Sequence, residues 1–396
     1  MAPCAGCAWR SNASRSGDAE RFSAAFGTQM CRHWDVVAVA EVTRHMRIAL
    51  ISTPFVAVPP ARYGGTELMI AELSEGLVQR GHEVTLFGTG DSTTSAELRY
   101  LYEEAQWPPN FLQDNNHVSW AMQQVYDEDF DVVHAHSAGA LIYTRITCRP
   151  PVVYTLHHSQ QNDLSDFYRY FPNAHYVAIS HDQAAREPGV CQAHVVHHGL
   201  DPAKYEWRDR AGDYVCFVAR FACVKGPHTA IDVTEEAGVP IRVAGEVHDV
   251  DAEFHEREVA PRLRKEHVTV LGSIGMAEKV PLLRDARALL APIEWDEPFG
   301  LALIEAMLSG CPVVAFPRGS VPELVEEGVT GFIAHDRNEM RDIIRPGGPL
   351  DDFDRRRCRE CAVERFGRDR MVADYESVYA VASGYATPHG QLARIA

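Results

Sequence analysis

The chain has 396 residues, 46 % hydrophobic and 23 % charged, with a formal net charge of −17. That composition is ordinary for a soluble globular protein and excludes a disordered chain, a collagen-like chain and a small disulfide scaffold. The acidic balance excludes a nucleic-acid partner held by a broad basic face. Only four of the 38 basic residues are lysine (Lys204, Lys225, Lys265 and Lys279), which makes each lysine worth locating.

No apolar run reaches the roughly 18–20 residues that cross a bilayer, so no stable membrane insertion is expected. Residues 1–45 show neither helical nor strand periodicity and no secretory apolar segment. They are expected to be an unstructured leader, with Met46 as the real start. The ten cysteines are scattered and mostly sit in apolar stretches, which suits free thiols in a reducing cytoplasm. Cys4/Cys7 and Cys358/Cys361 have zinc-like spacing, but no metal site is expected from them.

Arg47-Ile48-Ala49-Leu50-Ile51-Ser52 is the first buried parallel strand by its continuous apolar run. Tyr63-Gly64-Gly65-Thr66-Glu67 then opens a helix with Leu68, Met69, Leu73 and Leu77 on one side, and Gly81 ends it. Further short apolar runs at 84–88, 131–134, 152–156 and 176–180 predict more strands. The polar stretch 201–213 reads as a linker. The pattern restarts with runs at 214–218, 241–245, 268–272, 288–292 and 313–316. Alternating strands and helices predict two doubly wound α/β halves, with domains at 46–205 and 206–370 and a helix and tail at 371–396. Ligands of such architectures bind in the cleft at the carboxyl ends of the strands.

The stretch Glu297-Pro298-Phe299-Gly300-Leu301 follows a strand and opens a helix that closes at Gly310-Cys311-Pro312. Phe299, Gly300 and Leu301 would present backbone N–H groups at a helix start, a natural anion site. Glu305 lies one turn inside that helix, where its carboxylate suits two ribose hydroxyls, and Glu297 sits outside it. Spacing alone equally fits a capped, solvated helix start. Arg220 and Lys225-Gly226 follow a strand and precede a helix, as a pair that would hold a diphosphate. His134 and His136 alternate along a strand end and so point to one face. With His157 and His158 they raise the question of a metal cluster, but no carboxylate accompanies them. Metal ligation is not expected, and His136 is read as lining the cleft for a sugar or acceptor.

Arg220…Lys225-Gly226, Glu297-Pro298-Phe299-Gly300…Glu305-Ala306, Gly310-Cys311-Pro312-Val313-Val314, Arg318-Gly319-Ser320-Val321-Pro322-Glu323 and Gly328-Val329-Thr330-Gly331-Phe332 stand in one register. In that order and spacing the chain resembles the family-4 retaining glycosyltransferases, from about Met46 to Ala382. The resemblance implies the GT-B fold, two Rossmann-like domains facing a deep cleft. It implies that Arg220 and Lys225 neutralise the donor diphosphate, and that Glu305 holds the ribose. It places Glu297 on the transferred sugar, with Phe299, Gly300 and Leu301 offering amides to the phosphates or sugar. In the N-terminal half Gly64 and Gly65 match the glycine loop near the diphosphate, and His157 matches a histidine near the reacting sugar. Lys279 matches a family position near a helix start. Two departures stand out. His198 occupies the place of a common family asparagine, and the pair His157-His158 leaves open which ring faces the cleft.

The expected partners are a nucleotide sugar and a hydroxylated acceptor, with no cofactor and no metal. Residues 46–200 carry 8 basic and 17 acidic side chains and no lysine, which argues against docking on an anionic membrane and favours a soluble saccharide or small-molecule acceptor. The alternatives are a sugar-nucleotide epimerase or hydrolase of the same shape, or a non-catalytic sugar-nucleotide-binding protein. A dinucleotide dehydrogenase is disfavoured because neither half opens with Gly-x-Gly-x-x-Gly.

Overall fold

The structure, a computed structural model, describes residues 34–35 and 44–385 apart from residues 63 and 148. Most of the expected leader, the Cys4/Cys7 pair and the tail beyond residue 385 lie outside the described residues. Two wholly parallel sheets organise the rest. The first contains β1 (Trp34–Asp35), β2 (Arg47–Ile51), β3 (Glu83–Gly88), β4 (Glu97–Tyr100), β5 (Val132–Ala135), β6 (Val152–Thr155), β7 (His175–Ala178) and β8 (Ala193–Val195). Its order is β1-β8-β7-β6-β5-β2-β3-β4. The second contains β9 (Val215–Val218), β10 (Ile241–Ala244), β11 (Val268–Gly272), β12 (Leu289–Ala291), β13 (Val313–Ala315) and β14 (Gly331–Ile333), in the order β11-β10-β9-β12-β13-β14.

The strands form where the sequence concentrates branched aliphatic residues. Ile48, Ala49, Leu50 and Ile51 of β2 are fully buried, as expected when helices cover both faces of a parallel sheet. Strands β4, β8 and β14 lack such a run. Strand β4 lies at a sheet edge and alternates Glu97 and Arg99 with Leu98 and Tyr100, β8 carries His194 at its centre, and β14 is a three-residue edge strand. Their apolar signal is weak because edges and short strands need little burial. Within the expected leader, Trp34–Asp35 pairs in parallel with β8.

Both sheets reverse strand order once, between β2 and β5 in the first and between β9 and β12 in the second. A crevice opens at the carboxyl ends of the strands at such a switch point. The loop to Gly64 and Gly65 leaves β2, and His136 follows β5. Arg220 and Lys225 follow β9, and Glu297 to Leu301 follow β12. Helix Arg368–Ala382 is C-terminal in sequence but packs on the N-terminal sheet. Its Met371, Val372, Tyr375, Val378 and Tyr379 share a core with Met46, Ile48, Leu50, Leu73 and Leu77. No helix among the described residues is long and apolar enough to cross a membrane.

Candidate functional site

Helix Leu301–Leu308 begins after Gly300, whose φ of 93° lies in the left-handed region that favours glycine. Its first N–H groups have no preceding helical turn to bond, so they point out of the helix start. Ser320 holds the segment from behind: its hydroxyl donates to the Phe299 carbonyl at 2.7 Å and its N–H to the Glu297 carbonyl at 2.9 Å. A Cβ at Gly319 would fall 2.3 Å from the Glu297 nitrogen, so only glycine lets this loop pack so closely. Facing the helix start across the cleft is the start of helix Gly65–Gln79. A Cβ at Gly65 would approach Leu301 Cδ1 to 3.2 Å, and one at Gly64 would meet Pro60 Cβ at 2.7 Å. Two glycine-bearing helix starts therefore oppose each other.

Three cation–carboxylate pairs line this region. Lys225 bonds Glu297, which also accepts the Trp295 indole N–H at 2.9 Å, while the Lys225 ammonium lies 4.8 Å from the Trp295 ring centre. Lys279 pairs with Glu305 at 2.5 Å, and the Tyr205 hydroxyl donates to the same carboxylate at 3.2 Å. Arg220 pairs with Asp251 at 3.2 Å and donates to His248 Nδ1 at 3.3 Å, and His248 Nε2 bonds Glu246 at 2.9 Å. Arg220 and Lys225 thus stand on separate carboxylates. Glu297 and Glu305 are both buried, each with its cation held against it. Pairing of this kind holds each carboxylate in a fixed orientation.

In the N-terminal domain the histidines form a row of touching rings. His134 and His136 centroids are 4.3 Å apart, His136 and His157 5.1 Å, and His157 and His198 5.6 Å. His198 then meets Phe299 edge-on at 4.8 Å, which joins the row to the start of the opposite helix. His134 bonds Thr155 at 2.7 Å and Tyr379 at 2.8 Å. His136 Nδ1 lies 2.8 Å from His157 Nε2. Burial, then the charge of neighbouring imidazoles, depresses the whole row. His134 and His157 fall to about 3, and His136 and His198 fall well below the usual imidazole range. All four rings are neutral at neutral pH. His158 turns the other way, onto the Tyr168 hydroxyl at 2.6 Å, so His157 is the ring in the row that stacks on His198. His136 is itself buried, with its Nδ1 against His157.

Sequence reasoning did not reach the contact that ties the domains together. Glu323 of the C-terminal domain accepts the His181 N–H at 2.8 Å, the Asp182 N–H at 2.6 Å and His197 Nε2 at 3.1 Å, all from the N-terminal domain. Burial raises the Glu323 carboxyl, but these bonds outweigh it and hold it below the usual carboxylate value. Arg186 bonds Asp296 at 2.8 Å beside it. His181, His197 and Glu323 offer ligand atoms within 4.8 Å of one another, yet the carboxylate is already occupied by three N–H donors. Tyr205 and Asp251 were also missed, since neither a linker tyrosine nor one aspartate in an acidic loop carries a spacing signal. Lys279 was marked by the scarcity of lysine.

The paired sheets, the opposed helix starts and the interdomain cleft define the GT-B class of glycosyltransferase. Two family models match, Glycosyltransferase Family 4 over residues 63–204 and Glycosyl transferases group 1 over residues 206–345. The chain belongs to the family-4 GT-B glycosyltransferases. It is similar to spore coat protein SA of Bacillus subtilis, at 24 % identity over 84 % of this chain and 99 % of that protein. Among solved structures it resembles sucrose-phosphate synthase from Thermosynechococcus elongatus, at 17 % identity and a TM-score of 0.71 over 85 % of this chain and 98 % of that one. It also resembles Anabaena HepE in complex with UDP and glucose, at 20 % identity and a TM-score of 0.65 over 84 % and 98 % of the two chains.

Proposed function

We propose that the protein transfers a sugar from a nucleotide-diphosphate sugar to a hydroxyl of a soluble saccharide or small molecule, with retention of the anomeric configuration. The observation that carries this reading is the convergence of the Lys225–Glu297 pair, the helix start at Gly300 and the Lys279–Glu305 pair at one switch point. The acceptor oxygen bonds the anomeric carbon as its bond to the phosphate oxygen breaks. The acceptor proton passes to the departing phosphate oxygen on the same face. Charge grows on the diphosphate in that step, and Arg220, Lys225 and the amides of residues 299–301 are fixed where it grows. Each such preorganised donor is worth about 3 kcal/mol of barrier. Glu305 takes the ribose hydroxyls and Glu297 a hydroxyl of the moving sugar. His157 stands on the opposite wall, and Gly64 and Gly65 leave room for the diphosphate.

The positive field comes from the protein itself, so the reading requires no metal and no cofactor. The acidic N-terminal half fits an acceptor free of the membrane. UDP, which the HepE neighbour binds, is the first nucleotide to test. Nucleotide sugars are screened for thermal stabilisation and then for turnover with EDTA present. Stabilisation by one nucleotide class and EDTA-resistant turnover are expected. No stabilisation by any nucleotide sugar would overturn the reading.

A further inference from the structure

We propose that His136 is a positioning residue that fixes the proton of His157 on Nδ1, so that His157 presents an N–H donor to an oxygen of the bound substrate. This rests on the glycosyltransferase reading for its substrate, and on the contact between two neutral rings for its proton. His136 is 6 % exposed, and its Nδ1 lies 2.8 Å from His157 Nε2. Both rings are neutral for the reasons given above, and a neutral imidazole carries one N–H and one bare nitrogen. One ring therefore donates and the other accepts.

Two arrangements satisfy that contact. If His157 donates, the single proton of His136 must sit on Nε2, which is buried and has no hydrogen-bond partner among the described residues. A buried N–H would then be stranded, and the Nδ1 of His157 would be bare. If His136 donates, its buried Nε2 is a bare nitrogen and the proton of His157 sits on Nδ1. Buried N–H groups without an acceptor are the rarer defect, so the second arrangement holds. The hydrogen bond made by one imidazole nitrogen sets what the other offers.

The surroundings prevent either ring from turning away. His134 packs against His136, tilted by 46°, and is itself locked by Thr155 and Tyr379. His198 stacks on His157 and is backed by Phe299. As a donor, His157 is matched to an oxygen lone pair, on a sugar hydroxyl or a phosphate, and cannot take the acceptor's proton. That proton is left to the departing phosphate oxygen.

The test uses the full chain labelled with ¹⁵N-histidine, with the His157 signals assigned by their loss in His157→Gln. The wild-type spectrum is expected to show a protonated Nδ1 and a bare Nε2 at His157. His136→Asn keeps a side-chain N–H near the place of the imidazole Nδ1–H. It should preserve both the tautomer and UDP-glucose turnover, whereas His136→Leu and His136→Asp should lose the tautomer and at least about tenfold in kcat with little change in KM. Repeating the titration with UDP alone separates a phosphate oxygen from a sugar hydroxyl, since only the former shifts the Nδ1 signal without the sugar. A protonated Nε2 in the wild type, or an unchanged His157 tautomer in His136→Leu, would overturn the proposal. The wild-type spectrum decides even where a variant fails to fold. A chain that turns over no nucleotide sugar overturns the functional reading and leaves the tautomer standing.

Discussion

In the proposed reaction Lys225 and Glu305 act through different partners, and their substitutions should separate. Lys225→Ala removes the ammonium assigned by the proposed mechanism to the departing diphosphate and leaves the Glu297 carboxylate with the Trp295 indole. Steady-state kinetics should show kcat lowered about 10²–10³-fold with a smaller change in KM. Glu305→Ala removes the common acceptor of Lys279 and Tyr205, and the loss should appear mainly as a raised KM for the nucleotide sugar. Equal and small effects in both would refute the assignment of roles. At this scale the sequence was legible where residues cluster in one segment, as in 297–305. It was silent where partners come from distant loops: nothing near Arg220 in sequence announces Asp251, and nothing near Glu305 announces Tyr205. Which of His157 and His158 enters the row was undecidable by spacing, because the choice depends on Tyr168 waiting behind His158.

Helix starts and loop ends carry the site, and two substitutions test them as elements. Gly65→Val would drive a branched side chain into Leu301, closing the gap between the opposed helix starts. Titration calorimetry with the bound nucleotide should show weakened binding while the melting temperature stays near that of the wild type. Glu323→Ala strands the first N–H groups of helix His181–Arg186 and releases His197. The expected loss is about 1–3 kcal/mol of stability, with faster hydrogen exchange at residues 181–186. Unchanged exchange there would show that the contact does not hold the domains. The long apolar strands and the helix closing at Gly81 could be placed from periodicity. The C-terminal helix Arg368–Ala382 could be placed too, but not its docking on the opposite domain. An amphipathic pattern says that a face is buried and not which sheet buries it.

For the molecule as a whole, the buried histidines set the acid limit of stability. Burial holds His117 at about 4 and His134 and His157 at about 3, below the free value of 6.5. Between these values the unfolded chain binds more protons than the folded one, so stability rises with pH. It is complete above about pH 6.5 and is lost progressively as pH falls toward the folded values. At pH 5 each such histidine should cost about 2 kcal/mol, seen as a falling melting temperature between pH 7 and pH 5. A flat profile over that range would contradict the burial of the row.

On the proposed reading the same neutral row faces the helix start that receives the diphosphate, so one wall recognises oxygen atoms while the other neutralises charge. The −17 of the chain is compatible with this because the cleft's cations are few, individually paired and fixed. The central claim is that bond making and bond breaking share one face of the sugar. It is tested by proton NMR of the first-formed product from an α-linked nucleotide sugar, with water as the acceptor. The α-anomer appearing first is the predicted result, and the β-anomer appearing first would contradict the account.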